Sequence, residues 1–75
     1  MDINNLVTMA NQIGTFFEAM PDRVQAMQDI AGHIQRNWDP RMRRAIMQYL
    51  EDQGGRDLKE IVRGALLAHG EAVVR

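Results

Sequence analysis

Few residues in this chain have side chains able to do chemistry. His33 and His69 are its only imidazoles. His33 follows Asp29 by four residues, so on a helix the two would share a face as an acid–base pair or as two metal ligands. A structural zinc site needs four ligands, and a catalytic one needs three plus an open position. No second histidine or carboxylate pair stands at the spacing that would complete either set, so a surface i,i+4 pair is the simpler reading. His69 falls near the end of an apolar-periodic stretch. There an imidazole can bond the last helix carbonyls and favour the negative end of the dipole. Cysteine is absent, which removes thiolate nucleophiles, disulfides and zinc–thiolate or iron–sulfur ligation. Glycine-rich phosphate loops, a His-Glu-x-x-His pair and a nucleophile elbow are also missing. The expectation is a chain with no catalytic residue, no metal site and no cofactor of its own, hence not an enzyme by itself.

The other concentration of functional groups is cationic. Arg36, Arg41, Arg43 and Arg44 fall within nine residues, around "WDPRMRR". Asp39 and Pro40 read as the N-cap and first position of a helix. Arginines in that first turn oppose the dipole, at about 0.3–1 kcal/mol each. Glu51 and Asp52 oppose it again at the other end. Arg41 and Arg44 have no acid three or four residues downstream, whereas Arg43 could reach back to Asp39. Local rules broken without local compensation mark function or tertiary pairing, and Asp22, Asp29 or Asp57 could fold nearby. Three readings of the cluster compete. They are a solvated face, docking on an acidic or carbonyl-rich protein partner, and contact with nucleic-acid phosphates. Arg41 and Arg44 face outward about 60° apart. That is a fan around a turn rather than the continuous basic stripe of a groove binder.

The elements that position these groups are helical. Strand alternation is absent, and breaks at Pro21, Asp39-Pro40, Gly54-Gly55 and Gly70 divide the chain into four segments. The expected fold is all-α, a small bundle of about four helices in a single domain over residues 1–75. The helices run roughly over 3–19, 22–37, 40–53 and 57–69, and a tail, 70–75, frays. In the first segment Ile3, Leu6, Val7, Met9, Ala10, Ile13, Phe16 and Phe17 fill about 180° of the wheel, against the ~100° one packed face needs. Gly14 lies in that arc and predicts close approach of another helix. The second segment's stripe is Val24, Met27, Ile30, Ala31, Ile34 and Trp38, with Asp29 and His33 on the wet side. In the third, Met42, Ala45, Ile46, Tyr49 and Leu50 face inward and Met47 points the opposite way. In the fourth, Leu58, Ile61, Val62, Ala65 and Leu66 form the inner stripe, Leu67 lies outside it, and Asp57 is a candidate cap. Phe16, Met47 and Leu67 thus sit at the margin of their inner faces or opposite them. One exposed apolar residue is ordinary. Three, beside an over-wide arc, suggest surface meant for a partner.

Size and composition set the outer bounds. At 75 residues the chain buries only about 60% of its unfolded surface and is marginal alone. Small secreted domains of this size usually carry disulfides, so their lack points to a reducing, cytoplasmic setting. The start "MDINNLVTMANQ" has neither the basic region nor the apolar run of a signal peptide. No apolar run approaches the ~20 residues of a membrane span. A formal net charge of −1 argues against a dedicated nucleic-acid binder.

Four strings carry a resemblance: "LVTMANQIGTFF", "MPDR", "NWDPRMRRAIMQYL" and "DLKEIVRGAL". Together they resemble the delta subunit of cytoplasmic NAD-dependent formate dehydrogenases, over roughly residues 3 to 68. "MANQIG" and "WDPRMR" are specific as strings but hold no chemistry. "EDQGGR" and residues 69–75 match only loosely. The resemblance implies a noncatalytic accessory subunit that supports assembly, stability or cofactor loading. In that family a large subunit holds a molybdenum or tungsten pterin and iron–sulfur clusters and oxidises formate, and other subunits carry flavin and reduce NAD. The implied partner is that catalytic large subunit and its complex. Met9 to Gly14 and Trp38 to Arg43 map onto the family motifs as contact regions, and no catalytic role transfers.

Combining both lines, the expected partner interface is Trp38, Arg41, Arg43, Arg44, Phe16, Met47 and Leu67. Trp38 packs the corner while Arg41 and Arg44 project toward partner carboxylates or carbonyls. The surplus apolar surface leaves self-association open for the isolated chain. The alternative is a small helical nucleic-acid-binding module that reads with the arginine-rich start of the third helix.

Overall fold

Aspartates open the first three helices. Asp2, Asp22 and Asp39 each hold an extended backbone and accept a hydrogen bond from a first-turn N–H, of Asn4, Gln25 and Met42 respectively, so each satisfies a donor the helix leaves unpaired. The computed structural model describes residues 1–75 as α1 (Ile3–Glu18), α2 (Arg23–Asn37), α3 (Pro40–Gln53) and α4 (Glu60–Val74), with no strand. Pro40 occupies the start of α3, where its missing N–H costs nothing. Gly54 ends α3 with φ 74°, a left-handed conformation that a side chain would strain.

The four helices share one core of 17 buried residues, centred on Ile30, Ile34, Ile46, Ile61, Val62, Leu66 and Val73. Each large aliphatic side chain removed from water contributes about 1.5–3 kcal/mol. In a chain this short that burial is the main term opposing chain entropy. α2 and α4 form the most extensive pair. Gly14 is the point where α1 meets α4: a Cβ there would run into Cγ2 of Val62, as the expected close approach requires.

The sequence reading of α2 differs from the structure at one end. Val24, expected on the inner stripe, is 67% exposed, and Ala26 is buried completely in its place. The fourth helix departs further. Asp57 is not its cap. The cap position is Lys59, whose own side chain makes no capping bond. Asn11 of α1 does the capping instead: its Oδ1 accepts from the Lys59 N–H at 2.8 Å, and its Nδ2 donates to the Asp57 carbonyl at 3.0 Å.

The tail does not fray. α4 continues past Gly70 to Val74, bending at His69, whose φ −125° and ψ 25° lie outside the helical range. Val73 is wholly buried beyond the bend, and its carbonyl accepts from Nη1 of Arg43 at 2.9 Å. A glycine stop signal in the local sequence is overridden by tertiary burial and one charged hydrogen bond.

Candidate docking surface

The arginine cluster divides in two. Arg43 is 7% exposed, and its Nε donates to the Trp38 carbonyl at 3.1 Å while Nη1 reaches Val73. It is an internal clamp that ties the α2–α3 corner to the end of α4. A cation at a helix C-terminus suits the dipole. The arginine that looks misplaced on α3 is therefore well placed for α4. Arg63 of α4 does the same for α3, donating from Nε to the Gly54 carbonyl at 2.8 Å. The two helices supply each other's missing C-terminal cation. Trp38, 6% exposed, closes the same corner.

Arg41 and Arg44 remain outside. Both are exposed, and neither enters an ion pair or a side-chain hydrogen bond within the chain; the one salt bridge joins Lys59 to Glu18 at 3.2 Å. On α3, Met47 follows Arg44 by three residues, which sets it beside Arg44 on the wheel. Met47 does not point away from the bundle as expected. It is half-buried against the core, with Cε 2.8 Å from where a Cβ on Gly70 would sit. The reason is the continuation of α4, which supplies a wall for Met47 where a frayed tail would leave none. Leu67, three residues before Gly70, is 58% exposed, and Val74, seven residues after Leu67, is 44% exposed. Arg41, Arg44 and Met47 follow one another along α3, which packs on α4 and meets Gly70 through Met47, and with the exposed Leu67 and Val74 of α4 they make up the candidate α3–α4 strip.

Phe16 is not part of that strip. It is 75% exposed on α1, where Met9 at 38% shares its wheel position seven residues earlier. Its ring stands edge-on to Phe17 at 5.0 Å, and Phe17 in turn faces His33 at 6.2 Å. The over-wide arc of α1 is therefore a buried face with an apolar flank left open beside it. Of the seven residues expected at an interface, the structure leaves Phe16, Arg41, Arg44 and Leu67 outside, half-buries Met47, and commits Trp38 and Arg43 to the chain's own packing.

The histidines take other places than expected. Asp29 accepts from Nε2 of Gln25 at 3.0 Å, and His33 packs toward Phe17 instead. His69 is at the bend of α4 rather than in its last turn. No group of three or more His, Asp or Glu side chains is placed to hold a metal ion, and no helix is long and apolar enough to cross a membrane. Every buried side-chain nitrogen and oxygen has a hydrogen-bond partner, so no interior polar group awaits a ligand. The Asn11 clamp and the Arg43–Val73 contact were not visible as pairs in the sequence. Arg43 gave one signal, a cation in the first turn of its own helix, and Asn11 gave none.

Among curated proteins and among solved structures, none matches the chain. A family model described as the NADH-dependent formate dehydrogenase delta subunit FdsD matches residues 5–66. That span takes in α1, α2, α3 and the first turns of α4, and leaves the Val73 anchor beyond it. The match covers most of the 75 residues, and the chain therefore belongs to the formate dehydrogenase delta-subunit family.

Proposed function

We propose that this chain is a noncatalytic accessory subunit, which docks on the catalytic large subunit of an NADH-dependent formate dehydrogenase in the cytoplasm and supports its assembly or cofactor loading. Family membership supports association with that enzyme. The observation that carries the docking reading is the contrast among the arginines. Arg43 and Arg63 each find a helix carbonyl, whereas Arg41 and Arg44 are exposed with no ion pair or side-chain hydrogen bond, and Leu67 is exposed on α4, the helix packed against theirs. Arginine beside apolar surface is the composition enriched at protein interfaces. The guanidinium fork matches partner carboxylates or carbonyls in two-point bonds. The exposed flank of Met9 and Phe16 on α1 offers a second apolar contact.

The test is genetic and biochemical. In a strain lacking this chain, the formate dehydrogenase should accumulate with reduced cofactor content, and restoring the chain should return it. An enzyme that assembles, loads and turns over normally without the chain contradicts the assembly role.

A further inference from the structure

Every sulfur in this chain is a thioether, because it has six methionines and no cysteine. Met1 and Met9 are exposed. Met20 and Met42 pack against the edge of the core. Met27 of α2 and Met47 of α3 are half-buried as well, but each is seated on a glycine of α4. Cε of Met27 lies 3.1 Å, and its Sδ 3.7 Å, from where a Cβ on Gly64 would sit. Cε of Met47 lies 2.8 Å, and its Sδ 4.0 Å, from the same point on Gly70. No side chain from another helix besides these two comes within 4 Å of either point. Gly64 and Gly70 are the only glycines of α4. That helix is thus gripped at two notches, by one methionine from α2 and one from α3. An unbranched thioether adapts to such a notch.

We propose that Met27 and Met47 form a peroxide-sensitive modification site whose oxidation loosens α4 from α2 and α3, a property independent of the docking reading. The thioether lone pair attacks a peroxide oxygen and the O–O bond breaks. With hydrogen peroxide the products are a sulfoxide and water; the sulfur loses two electrons and the peroxide gains them. Partial burial leaves both sulfurs within reach of so small a molecule. The product no longer fits its notch. A sulfoxide is polar and chiral where the thioether was apolar and flexible. Turned inward, its oxygen finds no vacant donor, since every buried side-chain nitrogen and oxygen is already paired, and an unpaired buried polar group is destabilising. Turned to water, it draws the sulfur off its glycine. α4 is the helix most sensitive to such a change. It has no capping bond from its own cap residue, and it depends on Asn11, Met27, Arg43 and Met47 from the other three helices.

The experiment treats the purified full chain with graded doses of hydrogen peroxide, quenched with free methionine. Peptide mass spectrometry gives the sulfoxide fraction at each methionine, and circular dichroism gives the melting temperature. Chains oxidised at Met1 and Met9 alone should melt as the untreated chain does. Sulfoxide at Met27 and Met47 should lower the melting temperature by about 8 °C or more, as two core perturbations of ordinary size do in a small domain. Amides of α4 should then lose exchange protection ahead of those of α1. Methionine sulfoxide reductase should restore both readings. Met27→Leu combined with Met47→Leu, a volume-conserving change, should keep its melting temperature at the same doses. Three results would overturn the proposal. They are no sulfoxide on Met27 or Met47 at doses that fully convert Met1 and Met9, sulfoxide there with no change in melting, and a leucine double variant that loses as much as the parent. The first two are read on the parent chain alone, so they decide the matter even where the double variant misfolds.

Discussion

Replacing Arg43 by alanine should unfold much of what joins α3 to α4. Its guanidinium is buried and donates to two backbone carbonyls, of Trp38 at 3.1 Å and Val73 at 2.9 Å. Hydrogen bonds from a charged group contribute about 1.5–3 kcal/mol each. Burying the guanidinium offsets part of that, so the expected net loss is about 3 kcal/mol. A chain of this size has roughly 4–11 kcal/mol in total by the usual per-residue stability, so the loss is a large fraction. At about 4–8 °C per kcal/mol for small domains, the melting temperature should fall by roughly 12–24 °C. The assay is urea and thermal unfolding followed by circular dichroism at the helix band, with the m-value checked for two-state behaviour. Two further variants separate charge from shape. Arg43→Met keeps most of the stem packing and removes the donors. Arg43→Lys keeps the charge but lacks the fork that reaches both carbonyls, so it should recover less than half of the loss. Hydrogen exchange should show residues 69–74 losing protection first in all three. An Arg43→Ala protein within about 0.5 kcal/mol of the parent, the range of an ordinary surface substitution, would refute the clamp.

Other substitutions test the remaining parts. Asn11→Ala should cost about 1–2 kcal/mol in chemical denaturation, as a lost cap does, and should speed amide exchange at Lys59. Gly14→Ala gains up to ~1 kcal/mol of helix propensity but meets Val62, and overpacking at about 1–3 kcal/mol should outweigh it. The double variant Gly14→Ala with Val62→Ala should then lose less than the sum of the single changes, read as a double-mutant cycle. Leu67→Ser should leave the melting temperature within a few degrees, since Leu67 is largely exposed, while weakening capture of the formate dehydrogenase in a pull-down.

The helices were legible because their signals are local. Apolar spacing, the Asp39 cap, Pro40 and Gly54 each act within a turn or two, and α1 to α3 follow these signals closely, while the caps Asp2 and Asp22 were not read. α4 was not, because its boundaries are set from outside. Asn11, more than forty residues away, stands in for the cap its own sequence lacks, and Val73 with Arg43 carries the helix past Gly70. The candidate surface was half legible for the same reason. Exposure of Phe16 and Leu67 follows from wheel position alone, whereas the fate of each arginine depends on which carbonyl the fold brings within reach. Arg41, Arg43 and Arg44 are the same residue type in one turn, and only tertiary structure separates the clamp from the two that stay free.

The most direct measurement is the affinity of the purified chain for the formate dehydrogenase lacking it, with Arg41→Glu and Arg44→Glu combined. Arg41 and Arg44 are exposed and make no ion pair or side-chain hydrogen bond within the chain, so the double variant should melt within a few degrees of the parent. Loss of two charged contacts at an interface predicts binding weaker by about a hundredfold or more, at roughly 1.5–3 kcal/mol each, and weaker salt dependence. A double variant that folds normally and binds as tightly as the parent would contradict the assignment of this strip as the docking surface.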